Sequence, residues 1–505
     1  MKNTYIVLLK NAFFKSEENK LSKREFSRCE ATDIQLRINN YELRMPRCEA
    51  TLQPYNFATF QLQSPYMVWL KNALFCFVFC VIFFSAKNTN AQELLTLQDA
   101  IKITLENNFD IKLVRNDVEI RDNNATLANA GLLPQAGISL SNNNNILNTR
   151  QTLQNGTEQQ RNGARNSNLQ YGPFVSWTVF DGFRMFARYE QLKELEKYGE
   201  ENLRLTILSR VADVVNRYYE LVQQQQQLNA YDTAVVVSRY RKQIAQSRFE
   251  IGKSSRLEVL NAQVDFNTDT TNLLRQQALY LNTQTQLNEL MGRDVNIRFR
   301  VSDDVSIDDK LTLEFLQNQA KEQNPALQLA LINRRISELD LKQTRAGRYP
   351  VITLNTGYNF TDNRSELGFA TKSVGRGPFY GVTASINLFN GFQQWRNEES
   401  ASILINNAQI QYEQQKLIIN SQLNTAYQTY QTNLNLVALE ETNQKIAFQN
   451  LDITMEKFRL GSITPVEVRD AQLNYINATV RFSNAKYQAK LAEVQLKEIA
   501  GNMNY

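Results

Sequence analysis

Two short segments of the chain match each other: residues 179–183 read Val-Phe-Asp-Gly-Phe, and residues 388–392 read Leu-Phe-Asn-Gly-Phe. Each follows a run in which apolar and polar residues alternate, and each precedes a long run with almost no Gly or Pro. Alternation predicts a β-strand, whereas a long run without helix breakers predicts a helix. The same junction from strand to helix therefore occurs twice in the chain.

Further matches keep the same order along the chain. The segments that begin at Arg248 and Lys457 (Arg-Phe-Glu-Ile-Gly and Lys-Phe-Arg-Leu-Gly) lie 209 residues apart, as the first pair does. Leu95-Thr-Leu-Gln and Leu311-Thr-Leu-Glu lie 216 residues apart. Constant offsets of this kind indicate a tandem duplication. We therefore predict two structural repeats, at residues 92–309 and 310–505.

Each repeat contains one very long predicted helix. No Gly or Pro lies between Gly391 and Gly461, and the equivalent stretch of the first repeat has only Gly199. At 1.5 Å per residue, about 65 helical residues extend roughly 100 Å. Apolar residues follow coiled-coil spacing: Ile207, Val211, Val214, Tyr218 and Leu221, then Leu423, Tyr427, Tyr430, Leu434 and Val437. A second seam at Leu208, Val215 and Val222 suits a helix packed on both sides, either in a tube of helices or in a large soluble bundle.

The alternating runs predict four strands per chain. Their apolar positions are Ile138 and Leu140; Val175, Trp177 and Val179; Ile352, Leu354 and Tyr358; and Tyr380, Val382, Ala384, Ile386 and Leu388. The pattern fits strands with lipid outside and water inside, and it also fits a sheet half-covered by a core. Four strands cannot close a barrel alone, so membrane-embedded strands require an oligomer.

We predict that residues 141–170, which are rich in Asn and Gln, form a solvated loop outside the cell.

Composition excludes most catalytic chemistry. The chain has no His, and its four cysteines, Cys29, Cys48, Cys76 and Cys80, all precede residue 91. A Ser-His-Asp triad, a thiol nucleophile and a His/Cys zinc site are therefore ruled out beyond that point, and we predict no catalytic, cofactor or metal site.

The net charge of +5 comes entirely from residues 1–91, because residues 92–505 hold 44 basic and 44 acidic residues. This neutrality argues against a nucleic-acid partner.

The amino-terminal part has the layout of a secretory leader. Residues 67–72 carry one Lys, residues 73–84 are almost wholly apolar, and small residues precede Gln92. We interpret residues 67–91 as a signal peptide cleaved after Ala91, because a dozen apolar residues fall short of the ~20 that span a bilayer. A signal peptide begins a protein, so residues 1–66 are interpreted as a doubtful extension upstream of a true start at Met67.

Together, the leader, the duplication, the two hairpins of alternating strands and the two long helices with Gly-centred turns resemble the outer-membrane efflux protein family typified by TolC. The resemblance covers essentially residues 92–505. It implies a mainly α fold with β, a homotrimer, a twelve-stranded transmembrane β-barrel with four strands from each chain, and a periplasmic α-barrel of long helices. It also implies a passive outer-membrane channel of a tripartite efflux or type I secretion system, with a periplasmic adaptor (membrane fusion) protein, an inner-membrane RND or ABC-type pump and outer-membrane lipid as partners.

The resemblance also suggests roles for particular residues. Glu467 and Asp470 match an acidic ring at the periplasmic constriction, and Glu258 matches an acidic residue that latches the closed state. Ile463 stands where the best-known member has the basic latch partner, which puts that salt bridge in doubt here. The adaptor-contacting tips would comprise Arg248, Phe249, Gly252, Lys253, Phe458, Gly461 and Ser462, and the lipid-facing strand positions would include Val175, Trp177, Val179, Val382, Ala384 and Ile386.

Simpler interpretations of these residues stay open. Acidic residues at a helix start also stabilise the helix dipole, and a Gly at the tip of a helical hairpin is a common helix terminator. For the whole protein, the alternative is a soluble periplasmic coiled-coil adaptor or scaffold, which has long hairpins but no lipid-facing strands.

Overall fold

The computed structural model describes residues 36–38, 41–43, 93–302, 304–366 and 370–503. The chain divides into two compact units, residues 1–89 and 90–505. In the first unit, strand β1 (Leu36–Ile38) pairs with β2 (Tyr41–Leu43) in an antiparallel ladder. The predicted signal peptide and the rest of the predicted extension at residues 1–66 lie outside the described residues.

The second unit builds the same series of elements twice. The first repeat contains β3 (Glu93–Leu95), α1 (Leu97–Asn107), α2 (Phe109–Asn124), β4 (Gln135–Thr152), β5 (Glu158–Phe180), α3 (Arg184–Glu250), α4 (Arg256–Met291) and β6 (Phe299–Val301). The second contains α5 (Leu313–Gln323), α6 (Pro325–Arg345), a 3₁₀ turn (Ala346–Arg348), β7 (Val351–Ser365), β8 (Lys372–Ser385), α7 (Gln393–Arg459) and α8 (Pro465–Ala500). The predicted mainly helical fold with a minority of strands is confirmed.

The two long helices, α3 and α7, contain 67 residues each, or about 100 Å at 1.5 Å per residue. Both seams of α3 are buried: Val211, Val214, Tyr218 and Leu221 in one, Leu208, Val215 and Val222 in the other. All of them except Leu208 join one core with α1, α4 and Val494 of α8, whereas Leu423 and Tyr430 of α7 belong to a separate core with α5 and α8. Within the described residues, no helix is both long enough and apolar enough to cross a membrane.

The matched junctions have the same backbone geometry. Phe183 and Phe392, directly before α3 and α7, are the non-Gly residues with positive φ among those described, at 67° and 63°. The Asp181 carboxylate accepts hydrogen bonds of 3.2 and 3.1 Å from the Met185 amide, and the Asn390 side chain accepts one of 3.2 Å from Gln394. A short acceptor three residues before the first helical residue therefore satisfies a free amide of the first turn in both repeats.

A second matched contact joins the short helices to the ends of the hairpins. Asn108 caps α2 by accepting from the Ile111 amide, and its side-chain amide donates to the Leu290 carbonyl over 2.8 Å. Asn324 makes the same pair of bonds with the Leu327 amide and the Ile499 carbonyl. One Asn in each repeat thus fixes a helix start and ties it to the end of the hairpin that returns from the tip.

The helices pack side by side in a layer. Between the short helices and the tips the order is α4–α3–α8–α7, and beside the sheet it is α2–α3–α6–α7. Helix α3 therefore lies inside the layer. Helix α7 forms one edge, and the other edge is formed by α4 near the tips and by α2 beside the sheet. The repeats meet along α3 and α8, which accounts for the two buried seams of α3.

Strands β4, β5, β7 and β8 form one antiparallel sheet in that order. The predicted loop at residues 141–170 is wrong: β4 continues to Thr152, β5 begins at Glu158, and residues 153–157 form the turn. Asn and Gln are poor strand formers in isolation, but here the cross-strand ladder satisfies their backbone groups. Strand β8 ends at Ser385, so Ile386 and Leu388 lie just beyond it, although the alternation predicted that they were part of the strand.

Register determines the two faces of the sheet, since directly paired residues lie on the same side. One face carries, among others, the paired residues Trp177, Leu354 and Val382, and in the next row Val175, Thr356 and Tyr380. These side chains are exposed in the single chain, up to 90% for Tyr380. A β-bulge between Thr178 and Phe180 sets both Val179 and Phe180 opposite Ile352. We call this the apolar face, and the other side the polar face.

Candidate functional site

The tips of the helical hairpins are two turns of the same type. At the first tip, Gly252 has a φ of 74° and the Lys253 amide donates to the Arg248 carbonyl over 2.8 Å. At the second, Gly461 has a φ of 79° and the Ser462 amide donates to the Lys457 carbonyl over 3.0 Å. Both turns end a helix with a Gly in the left-handed conformation. The amide of the residue after this Gly then donates to one of the last free carbonyls of the helix.

The predicted tip residues divide into surface and interior groups. Gly252, Lys253, Gly461 and Ser462 are exposed. Phe458 is only 1% exposed, and Phe249 packs partly buried against Ala245, Val259 and Ala262. The guanidinium of Arg248 lies 4.8 Å from the centre of the Phe458 ring and donates to the Phe458 carbonyl over 3.1 Å. Arg248 and Phe458 therefore join the two tips to each other within one chain.

Glu258 and Glu467 occupy equivalent positions, the third residue of α4 and of α8. Glu467 is exposed and completes a capping box with Thr464, whose hydroxyl lies 2.9 Å from the Glu467 carboxylate. Asp470 is exposed one turn later on the same helix. Glu258 is half-buried: one of its oxygens accepts from the Ser254 hydroxyl, and the other is buried without a hydrogen-bond partner among the described residues.

A buried charged cluster lies directly behind these acidic residues. We use the name tip cluster for Arg241 of α3, Asp265 and Asp269 of α4, and Arg469 and Gln472 of α8. Arg469 donates to both oxygens of Asp269 over 2.9 and 2.8 Å, and Gln472 donates to the same carboxylate over 2.9 Å. Asp269 is 2% exposed. Its carboxylate is therefore held by donors from α8, which belongs to the other repeat.

Arg241 is the second buried cation of the tip cluster, with 5% of its surface exposed. It donates to Asp265 over 3.0 Å and to the Pro465 carbonyl over 3.2 Å, and its Nε atom has no hydrogen-bond partner among the described residues. Burial lowers the pKa of the Arg241 guanidinium, and the Asp265 carboxylate opposes that shift. A buried ion pair of this kind stabilises the protein only while both partners stay in place.

A cavity of about 420 Å³ opens between the tips, lined by Glu258, Arg241, Asp265, Arg469 and Phe458, among others. It brings together the predicted latch residue Glu258 and three members of the tip cluster. Glu467 and Asp470 are not among its lining residues. The structure therefore separates the predicted acidic residues into Glu258, which faces the interior of the chain, and two exposed side chains on α8.

The sequence prediction missed the tip cluster, although Arg469 lies between Glu467 and Asp470. One signal was available: the cluster departs from the duplication. At the 209-residue offset, Asp265 corresponds to Asn474, Asp269 to Ala478 and Arg241 to Asn450. Charged side chains that are present in one repeat and absent from the equivalent positions of the other indicate a contact that each chain makes only once.

Comparison with known proteins agrees with this architecture. The profile of the family described as "Outer membrane efflux protein" matches residues 100–293 and 316–502, which is one segment in each repeat. This chain belongs to that family. Outer membrane protein TolC of Vibrio cholerae serotype O1 is 25% identical over 307 residues, which span 58% of this chain and 67% of that protein.

Solved structures of the same architecture cover four fifths of the chain. The Campylobacter jejuni CmeC outer membrane channel superposes with a TM-score of 0.66 and 16% identity, covering 80% of this chain and 85% of CmeC. A membrane protein from Pseudomonas aeruginosa superposes with a TM-score of 0.65 and 17% identity, over 80% and 90% of the two chains. At such low identity, these matches support the fold alone.

Family membership establishes the coarse function. The protein is an outer-membrane efflux channel, it is located in the outer membrane, and it is not an enzyme. The alternative of a soluble periplasmic scaffold is therefore wrong.

Proposed function

We propose that three copies of this chain assemble into a passive conduit, with a twelve-stranded barrel in the outer membrane and a tunnel of long helices across the periplasm. The observation that carries the proposal is the four-stranded sheet, whose apolar face is exposed and whose outer strands, β4 and β8, each have one unpaired edge. Lipid does not tolerate open edges, so the sheet needs further copies to close. Three copies give twelve strands, within the range of known barrels.

The edges of the helical layer support the same assembly. Helix α7 exposes large apolar side chains at intervals of seven residues: Ile403, Ile410 and Leu417, and farther on Leu439, Ile446 and Ile453. On the opposite edge, α4 exposes Leu260, Leu274 and Leu281, which follow the same interval. A seven-residue apolar spacing is the signature of a coiled-coil seam. In the trimer, α7 of one chain would pack against α4 of the next chain toward the tips and against its α2 beside the sheet, and so close the tunnel.

The tips are proposed as the closed end of the tunnel. Three copies of Glu467 and Asp470 would place six carboxylates around one axis, where they attract cations and repel anions. The tip cluster would hold the closed arrangement, because it ties α8 of the second repeat to α3 and α4 of the first. It takes the place of the latch that Ile463 cannot make.

The partners are proposed on the same basis. A periplasmic adaptor protein would contact the exposed tip residues Lys253, Gly252, Gly461 and Ser462, and the buried Phe249 and Phe458 would support these turns from inside. An inner-membrane pump of the RND or ABC type would supply the energy in a tripartite efflux or type I secretion system. The channel itself would contribute neither chemistry nor energy.

A matched pair of substitutions on one strand tests the assembly. Trp177 lies on the apolar face and its neighbour Thr178 on the polar face. Arg at a lipid-facing site near the bilayer midplane costs about 2–4 kcal/mol, so Trp177→Arg should abolish outer-membrane insertion, whereas Thr178→Arg should insert and alter conductance. Native mass spectrometry of the detergent-extracted wild type should show a trimer. A monomer, or equal behaviour of the two variants, would contradict the proposal.

The constriction has a separate test. Glu467→Gln with Asp470→Asn removes the charge and keeps the capping box, since Gln also serves at that position. Single-channel recordings of this double variant should show weaker cation preference and weaker block by multivalent cations from the periplasmic side. The control is Asp452→Asn, which removes an exposed carboxylate of α7 and should leave both properties unchanged. If the double variant keeps its selectivity, these acidic residues serve only the helix start.

A further inference from the structure

The apolar face changes character at one end of the sheet. Its last row with aromatic rings pairs Leu140, Tyr171 and Phe360 with Arg376, and the next row on this face contains Asn142, Leu169, Asp362 and Val374. The rings of Tyr171 and Phe360 are stacked 5.1 Å apart, as expected of an aromatic belt at a membrane–water boundary. Two rows farther from the helices, Arg364 pairs with Lys372, and Arg165 lies one row beyond. Four cations therefore follow the aromatic rings on the same face.

The polar face has no such charges at the same levels. The row beside Arg376 contains Ser141, Gln170, Thr361 and Gly375, and the next row contains Asn143, Asn168, Asn363 and Ser373. All eight are uncharged. These four cations therefore lie on the face that bears the apolar band. Arg161 lies beyond a β-bulge, where it pairs with Thr149 at the end of the sheet.

The spacing fits the headgroup layer of a bilayer. From the row of Phe360 to the row of Arg364 is four residues, or about 13 Å along a strand, which at a tilt of about 40° is roughly 10 Å along the membrane normal. The polar layer on each side of a bilayer is about 5–8 Å thick. With the aromatic row at the edge of the hydrocarbon, the backbone of Arg376 lies at the bottom of that layer. The backbones of Arg364 and Lys372 lie about 2–5 Å above its top, and their long side chains can extend back toward the headgroups.

The acidic side chains nearby leave positive charge uncompensated. Asp362 is shared by Arg364 over 3.3 Å and Lys372 over 3.5 Å, and Glu366 pairs with Arg161 over 3.4 Å. Among the described residues, Arg165 and Arg376 have no acidic partner within ion-pair distance. Five cations thus face two carboxylates, and their side chains are exposed, 66% for Arg364 and 53% for Lys372.

A cavity accompanies the charges. It has a volume of about 670 Å³ and lies at the end of the β7–β8 hairpin, where the β4–β5 hairpin continues alone. Its lining includes Arg161, Arg165 and Arg364 together with hydrogen-bonding groups of Asn144 and Ser167. Glu366, which pairs with Arg161, and Ile146 line it as well. A ligand with phosphate groups on a polar, hydroxyl-rich body matches that lining, because guanidinium groups bind phosphate oxygens in a bidentate manner.

We propose that Arg165, Arg364, Lys372 and Arg376, with Arg161, form a binding site for a lipid of the outer leaflet that carries phosphate on its headgroup. The acyl chains of the lipid lie along the apolar band below Tyr171 and Phe360, and its phosphates contact the cations. This site rests on the proposed function, because the sheet must be in the membrane with this end outward. In the trimer it occurs three times around the barrel.

The test uses the purified trimer in a neutral detergent, titrated with lipid A that carries two phosphates and with the same lipid after dephosphorylation. Binding is measured by native mass spectrometry. Each cation near anionic headgroups contributes about fivefold in affinity, so replacing Arg165, Arg364, Lys372 and Arg376 together by Gln should weaken binding of the phosphorylated lipid at least a hundredfold. The dephosphorylated lipid should bind the wild type and the variant equally weakly.

The matched control replaces four exposed cations of the helices, Lys197, Lys416, Lys445 and Arg459, by Gln and should bind as the wild type does. Equal binding of the two lipids to the wild type, or equal loss in the control, would overturn the site. So would inorganic phosphate that binds as tightly as the lipid, since the site would then be for the free ion. If the fourfold variant fails to assemble, Arg376→Gln and Arg165→Gln are tested singly, each with about fivefold loss expected and no loss contradicting the site.

The same samples distinguish failure of the proposed lipid site from failure of the proposed channel function. A variant that still forms trimers and conducts but no longer retains the phosphorylated lipid supports the site. A wild type that never forms a trimer would instead refute the proposed function.

Discussion

The two ends of the hairpin helices differ in how they use the duplication. At the end near the short helices, the repeats make the same contacts twice: Asn108 and Asn324 cap equivalent helices and bond equivalent carbonyls. At the tips, the tip cluster exists once, because one repeat supplies Arg241, Asp265 and Asp269 and the other supplies Arg469 and Gln472.

Under the proposed function, this difference favours the tips as the end of the channel that opens. The contacts made twice are neutral hydrogen bonds from the side-chain amides of Asn108 and Asn324. The buried ion pair on this side of the molecule, Lys490 with Glu493, lies within one helix, α8. A buried cluster of charges between the repeats is stabilising only while its partners remain together, and it becomes unfavourable once they separate. We propose that such a cluster gives a two-state contact at the tips, and that the other end would hold the helices in place when the tips open.

The largest expected effect is at the tips. Asp269→Ala leaves the largely buried Arg469 without the carboxylate that holds it, and breaking a buried pair in this way costs about 3–5 kcal/mol. Hydrogen exchange should show a loss of protection confined to α4 and α8 near the tips. The control, Asp452→Ala, removes an exposed carboxylate of α7 and should change little. Loss of protection throughout the chain would mean that the tip cluster supports the whole fold.

A smaller effect is expected at the opposite end, and it should be equal in the two repeats. Gly292 and Gly501 end α4 and α8 with φ values of 65° and 79°, and an added Cβ would lie 2.6 Å and 2.5 Å from the carbonyl oxygens of Asn107 and Gln323. Ala at either position should cost at least about 1–2 kcal/mol for the left-handed backbone alone, in addition to the steric overlap.

Denaturation in detergent of Gly292→Ala and Gly501→Ala measures this cost. Gly131→Ala is the matched control, because Gly131 also has a positive φ but no atom within 4 Å of an added Cβ. The free energy of unfolding of Gly131→Ala should decrease only by the part that comes from the left-handed backbone. Unequal losses at Gly292 and Gly501 would show that the repeats are not mechanically equivalent at this end.

The last expected effect is a pH dependence that distinguishes the two repeats at the end near the short helices. Burial and the nearby Asp213 raise the pKa of Glu498 to about 7, while Arg210 opposes the shift. The folded protein therefore binds this proton more tightly than the unfolded chain does, so the free energy of unfolding should decrease as the pH rises from about 4.5 to 7. Glu498→Gln should remove this part of the slope.

The control is Glu289→Gln, at the equivalent position of the first repeat, where the side chain is exposed. It should leave the pH dependence of unfolding unchanged. The free energy of unfolding of the wild type, Glu498→Gln and Glu289→Gln is measured between pH 5 and 8. Equal dependence on pH in all three proteins would contradict the assignment to Glu498.

The sequence was sufficient for the elements that repeat and insufficient for those that do not. Coiled-coil spacing predicted the long helices and two-residue alternation predicted the strands, because periodicity reports burial on one face. They failed for residues 141–170, where tertiary pairing overrides weak strand propensity. The tip cluster was not predictable, since its partners lie up to 231 residues apart in the chain, as for Arg241 and Gln472. The burial of Phe458 depends in the same way on the packing of two distant turns.

Single-channel conductance in planar bilayers tests the central claim most directly, by comparing the wild type with Asp269→Ala at equal protein density. If the tip cluster holds the tunnel closed, the wild type should show a small conductance and Asp269→Ala a conductance several times larger, with the same trimer mass. The Asp452→Ala control should match the wild type. Equal conductance of the wild type and Asp269→Ala, in trimers that are both inserted, would contradict the claim that the unrepeated cluster closes the channel.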